Sequence, residues 1–221
     1  MGKFEWDWLY VLKLVPQLLQ GLEITVLVTI TGSVLAFLLG LVWIMLRLAR
    51  IPFISAAVGF FVEFVRGTPF LIQLYFLFYV VPTWGLTLSA LLTGIIGIGL
   101  FNSSYVSEIY RAGIEDIPVG QWEACLTLGL PIRRVWLGIV LPQAIRTVLP
   151  MLGNVVIAMF KETAVLSTIT VFELLARAMD AGFLEFRFIE PLTLAGAFYF
   201  IVSYTAARGV KLLERRNVVG A

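Results

Sequence analysis

The sequence predicts an all-α membrane protein with about five transmembrane helices. Three observations carry that prediction. First, 60% of the 221 residues are hydrophobic and 14% are charged, whereas a soluble chain is about half apolar and about a quarter charged. Second, the apolar residues fall into runs of the length a spanning helix needs, about 20 residues at ~1.5 Å rise. Third, basic residues gather in alternate connections between those runs, the bias that sets orientation in a bilayer.

The elements follow in order. Residues 1–16 carry Glu5 and Asp7 and lack the basic, apolar, small-residue order of a signal peptide. Trp6, Trp8 and Tyr10 suit a membrane interface, so a short amphipathic lead-in is expected. The first span covers about 24–46. Arg47 and Arg50 close it, and Pro52 stops the helix. The second covers about 53–81 and ends at Pro82. Inside it, Gly67 and Pro69 should kink the helix and free a carbonyl. The third covers about 86–109, where Gly94, Gly97 and Gly99 read as points of close helix packing. The fourth covers about 135–160 and the last about 191–210. Residues 1–221 thus read as one membrane domain.

Orientation follows from the basic residues. Arg47 and Arg50, then Arg111, Arg133 and Arg134, then Arg208, Lys211, Arg215 and Arg216 fall on one side of a five-span chain. Across the bilayer, Lys3, Lys13, Arg177 and Arg187 are diluted by Glu5, Asp7, Asp180, Glu185 and Glu190. The richer side is expected in the cytoplasm, which puts the N-terminus outside and the C-terminus inside.

Composition also excludes function classes. A net charge of +2 with no clustered basic face gives no nucleic-acid footprint. Histidine is absent, Cys125 is the one cysteine, and the carboxylates show no metal-ligand spacing, so neither a metal site nor a His relay is expected. No Gly-rich Lys-Ser/Thr phosphate loop occurs, so any ATP chemistry must belong to a partner.

Ionisable residues inside spans are costly, about 2.5–3.5 kcal/mol each at the bilayer centre, and mark pathways or pairs. Glu63 and Arg66 lie three apart and share a helix face, so they read either as an intrahelical ion pair or, with Thr68, as part of a polar path. Lys161, Glu162 and Thr163 follow the fourth span. They read either as an interfacial anchor or as lining of a path, where Lys161 and Glu162 offer both signs to a zwitterion. Being adjacent on a helix, those two do not point the same way.

The connection 111–138 is long for a compact chain, and such loops are usually functional. Pro118 and Gly120 punctuate its start, and 121–128 holds good helix formers. Gly129 can end that helix at positive φ, and Pro131 suits the first turn of the next. Glu123 sits near a helix start, where a negative charge is favoured. Small Ala124 and Cys125 would let another surface approach. From the residues alone, an amphipathic surface loop and a docking segment are both open.

Glu123-Ala124-Cys125, three residues, Gly129, nine residues, Ile139, one residue, Leu141-Pro142 resembles the EAA motif of ABC-importer permeases. Cys125 departs from the usual alanine there. Residues 64–73, 105–114 and 161–167 are similar to segments of the polar amino acid permeases of that family, with Glu162 and Ala164 replacing commoner choices. The ectoine and hydroxyectoine permeases look nearest. The resemblance spans nearly the whole chain and implies a type I importer fold in a bacterial inner membrane. It implies two permease subunits, identical or paralogous, an ATPase dimer holding ATP and Mg²⁺, and an external solute-binding protein. This chain would bind no cofactor. Residues 120–142, with Gly120, Glu123, Ala124, Cys125, Gly129, Ile139, Leu141 and Pro142, would couple to the ATPase. The solute would be small, polar or zwitterionic. An ATP-independent channel is the rival reading, and the structured loop argues against it.

Overall fold

The computed structural model describes residues 6–49 and 51–218, with side chains through Arg215. Lys3, Glu5 and Arg50 therefore lie outside the described residues, as does the side chain of Arg216. Among the described residues the structure is helical with no strand.

Helix α1 runs from Trp8 to Leu48, 41 residues, or about 60 Å, twice the hydrocarbon thickness of a bilayer. It starts at Asp7, whose side chain accepts the N–H groups of Leu9 at 3.0 Å and Tyr10 at 3.1 Å. These bonds, Tyr10's above all, and the nearby Arg187 hold the Asp7 carboxyl below its ordinary range. The expected lead-in is thus not a separate amphipathic piece but the first third of α1. Pro16 lies within it without ending it. The reason is tertiary: Leu14 and Leu18 are buried against Leu174, Ala178 and Ala181 of a later helix.

The second span is broken. Helix α2 (Pro52–Gly67) and helix α3 (Phe70–Tyr75) with its continuation to Trp84 meet at 105°. Thr68, next to Pro69, is extended at φ −114, as steric contact with the proline ring requires. The carbonyls freed by the break find a donor. Gln73 Nε2 lies 2.7 Å from Val65 O and 3.2 Å from Thr68 O. A π turn, Phe76–Val80, precedes Pro82, and a second, Trp136–Val140, precedes Pro142. Each proline lacks the N–H that an α turn would use, and the ladder widens just ahead of it.

Helix α4 (Ala90–Glu115) is followed by the short helices α5 (Val119–Thr127) and α6 (Ile132–Val135). Helix α7 (Leu141–Glu162) then passes into a 3₁₀ segment, Thr163–Ile169. Helices α8 (Leu174–Glu185) and α9 (Ile189–Val218) complete the bundle. Among the described residues, three stretches are long and apolar enough to cross a membrane: α1, α4 and Ile132–Ile169. The bent pair α2–α3 makes a fourth if it counts as one span. Helix α9 has the length, at 30 residues. Its Thr193, Gly196, Tyr199, Ser203 and Tyr204 dilute the apolar run, so the fifth expected span is a helix with a more mixed surface.

Small residues let the helices approach, as membrane bundles require. Gly32 and Gly40 of α1 abut Ile98 and Val106 of α4, so α1 and α4 run parallel. Gly94, Gly97 and Gly99 meet Leu166, Leu74 and Leu35, which bears out the packing expected of them. Gly113 meets Val148 of α7, and Gly153 of α7 meets Val210 of α9. At Gly21 an added Cβ would lie 2.9 Å from Glu173 O and from Leu174 Cα, both backbone atoms. Gly21→Leu should therefore destabilise the bundle by about 1–3 kcal/mol. Gly196→Leu, where nothing stands within 4 Å, should not. Thermal unfolding of the two purified variants checks this; equal midpoints would refute it.

Candidate functional site

A groove of about 570 Å³ runs between α2, α4 and α7. Helix α4 presents Asn102, Tyr105, Glu108 or Ile109, and Ala112 to it, a spacing of three or four that keeps them on one face. Arg66 enters from α2, and Arg111 lies at the end of the α4 row. Met151, Val155, Ala158 and Glu162 line the opposite wall from α7. The walls are thus apolar with four charged groups set into them: Arg66, Glu108, Arg111 and Glu162.

Glu108 is the hub of these charges. Its Oε1 accepts a hydrogen bond from Arg47 of α1. Its Oε2 accepts from Arg111 Nη2 at 2.8 Å and Nε at 3.0 Å, and lies 4.0 Å from Arg66 Nη1. Arg111 also reaches Glu115 at 2.5 Å. Arg66 is held only loosely. It stacks over the Tyr105 ring at 5.2 Å, and its side chain is 40% exposed. Glu162, in the last turn of α7, accepts one hydrogen bond from Asn102 Nδ2 at 2.9 Å. The groove therefore offers one cation and one carboxylate with spare bonding capacity.

Of the pathway residues read from sequence, Arg66 and Glu162 line this groove and the others do not. Glu63 is exposed and forms no ion pair with Arg66, which turns across to α4 instead. Thr68 caps the α2 break, donating to Phe64 O at 3.0 Å and accepting from Gln73 at 2.7 Å. Lys161 is exposed on another face, and Thr163 is buried with its hydroxyl on Phe160 O at 2.8 Å. Sequence reasoning missed Asn102, Tyr105 and Glu108 as groove residues. Their three-residue recurrence in an apolar span was the available signal.

A second buried polar node lies beyond the end of α7. Glu173, in the connection between α7 and α9, is fully buried. Its carboxylate caps α8 by accepting from Leu175 N at 2.9 Å and Ala176 N at 2.7 Å, and Tyr199 of α9 donates to it at 2.7 Å. Thr25 Oγ1 of α1 accepts from Leu174 N at 3.1 Å. Burial pushes the Glu173 carboxyl up, and these donors oppose the shift. No sequence motif marks this node.

The 111–138 connection forms the two helical pieces expected of it. Gly129 has φ +59, and the helix end is closed by Leu130 N on Cys125 O at 3.1 Å and Gly129 N on Leu126 O at 3.0 Å. That is the bond pair of a Schellman cap. Pro131 lies one residue ahead of α6 rather than in its first turn. Cys125 faces inward, packed with Ile117, Val135, Val140 and Ala144. Trp122 meets Trp136 edge to face at 5.8 Å. Only Ala124 of the small pair faces out. Gly120, Glu123 and Gly129 are exposed with it, and Leu126 and Leu128 beside them are 81% and 72% exposed. Ile139 and Leu141 are half-buried in the π turn and the start of α7, and Pro142 is exposed.

Residues 32–218 match the family described as the binding-protein-dependent transport system inner membrane component. A probable amino-acid ABC transporter permease of Sinorhizobium fredii is 36% identical over 216 residues, covering 96% of this chain and 94% of that protein. The arginine transport system permease ArtQ of Bacillus subtilis is 31% identical over 204 residues, covering 91% and 93%. A crystal structure of an amino acid ABC transporter with histidines superposes with a TM-score of 0.92 at 32% identity, covering 96% of this chain and all of the other. A methionine ABC transporter, MetNI, in an inward-facing conformation shares the fold at a TM-score of 0.72 and 17% identity, covering 89% and 96%.

Proposed function

Because this chain belongs to the family of inner membrane components of binding-protein-dependent transport systems, we propose that it forms half of the pathway of an ATP-driven amino-acid importer. Its family makes it a multi-pass inner-membrane permease subunit with the type I importer fold, and not itself an enzyme. The relatives named for arginine, cystine and glutamine transport favour an amino acid as solute. Ectoine, a related zwitterion, is the narrower alternative.

The groove is the observation that carries the solute half of this reading. Arg66 would take the solute carboxylate and Glu162, held by Asn102, its ammonium group. Charge-assisted bonds of this kind are about twice as strong as neutral ones. A second permease subunit, identical or paralogous, would close the open side. An external binding protein would deliver solute. Residues 111–138 would dock on the ATPase dimer, which holds ATP and Mg²⁺. Closure of that dimer would then bias the spans between outward- and inward-open states, through its unequal binding to the two.

The orientation expected from sequence is part of this proposal, with the N-terminus outside and the C-terminus in the cytoplasm. Helices α1 and α4 run parallel, so Arg47 and Arg111 share one end with the α5–α6 connection. That end also carries Arg133 and Arg134. The test is uptake in vesicles holding permease, ATPase and binding protein, with labelled amino acids and ectoine compared. Accumulation should require ATP. Equal flux without ATP would support a channel and overturn the importer reading.

A further inference from the structure

The groove's charges are balanced. Two cations, Arg66 and Arg111, and two carboxylates, Glu108 and Glu162, line it. The immediate partners just outside, Arg47 and Glu115, add one of each sign. The balance hinges on one residue. Glu108 is the carboxylate in contact with cations from α1, α2 and α4 together, and its side chain is only 20% exposed. One partner would suffice to neutralise it. Three cations around it leave a local positive excess, which Glu115 and the more distant Glu162 offset. A charged group in a half-buried groove acts on a bound solute with far less screening than in water.

We infer that Glu108 sets the charge class of the solute, tuning the groove for amino acids with no net charge. The inference rests on the groove being the solute site. By holding Arg47 and Arg111 closely and Arg66 only at 4.0 Å, Glu108 leaves Arg66 as the most loosely held of the groove's two cations, matched by Glu162. Loss of the Glu108 charge leaves Arg111 held by Glu115 alone and makes the groove lining net positive. Loss of the Arg66 charge makes it net negative.

The test uses the assembled permease–ATPase complex and measures binding of radiolabelled glutamine, glutamate and arginine. The wild type should prefer glutamine. Glu108→Gln should raise the glutamate-to-glutamine affinity ratio by about tenfold, and Arg66→Gln should raise the arginine-to-glutamine ratio by about tenfold. Glu108→Asp should restore the wild-type ratios. Because each variant raises a different ratio, one favouring the anionic and the other the cationic solute, poor folding cannot imitate the result. Should Glu108→Gln fail to assemble, the Arg66→Gln arm and the Glu108→Asp ratios decide the matter. A wild type that binds glutamine, with ratios unchanged in the variants, overturns this inference and leaves the groove reading intact. A wild type that prefers glutamate or arginine also overturns it. A wild type that binds none of the three overturns the groove reading and this inference with it.

Discussion

Ala124→Arg is expected to cut ATP-driven uptake by about 100-fold, the loss typical of a disrupted interface hot spot. It should leave the permease itself folded. Helix α5 is fastened to the bundle through Cys125 and Trp122, on its inner side. Its outer side shows Ala124 together with the largely exposed Leu126 and Leu128. In the coupling proposal these leucines are the surface that the ATPase would cover. A long cationic side chain at this small outward position would hold a partner off without touching the chain's own core. Gly129→Val attacks the same surface by another route. No atom stands within 4 Å of Gly129, so the added side chain meets no clash. Its φ of +59 is instead a conformation that a β-branched residue adopts at a cost of about 1–3 kcal/mol. Relief of that strain would swing α5 relative to α6. Ala124→Arg should keep the wild-type unfolding midpoint, Gly129→Val should lower it by no more than about 10 °C, and both should lose copurification with the ATPase. A variant that retains the ATPase and transports normally would refute the coupling role of 111–138.

What the sequence disclosed, and what it withheld, divides along the range of the interaction concerned. Gly129 was legible, and Pro131 to within one residue, because the backbone φ of glycine and proline is a local property. The break at Gly67–Pro69 was legible for the same reason, and so were the packing glycines of α4. The direction of Arg66 was not. Spacing put Glu63 within reach, but Glu108 across the bundle competes for the same guanidinium, and only tertiary structure ranks the two. Cys125 was misjudged as outward because α5 carries apolar residues on both sides: Trp122 and Cys125 inside, Leu126 and Leu128 outside. A helix with apolar residues on both faces has no single apolar stripe to read. The start of α1 was hidden by Gln17, Gln20 and Glu23, which interrupt the hydropathy run but not the helix. Glu173 had no local signature, because the residues that satisfy its carboxylate come from α8 and α9.

Adjacent residues Lys161 and Glu162 provide the sharpest test of the groove. Both sit in the last turn of α7, carry opposite charges and differ by about 100° around the helix axis. Glu162 reaches Asn102 and lines the groove, while Lys161 is exposed away from it. Glu162→Gln keeps the shape and the Asn102 contact but removes the charge that would hold an ammonium group. A hydrogen bond to a charged partner contributes about 1.5–3 kcal/mol, so uptake at limiting solute should fall by about 10–100-fold. Lys161→Gln should change it less than about twofold, the scale of an exposed charge. If α7 only needed its end anchored at an interface, the two variants would behave alike, with Lys161 the more damaging because its ammonium can reach headgroups. Equal losses, or a larger loss at Lys161, would therefore remove Glu162 from the pathway. A loss confined to Glu162, appearing as a raised half-saturation concentration with ATPase association intact, places the solute's positive group at the junction of α4 and α7. It would also separate solute recognition from the α5 surface, since Ala124→Arg should lower the maximal rate by releasing the ATPase.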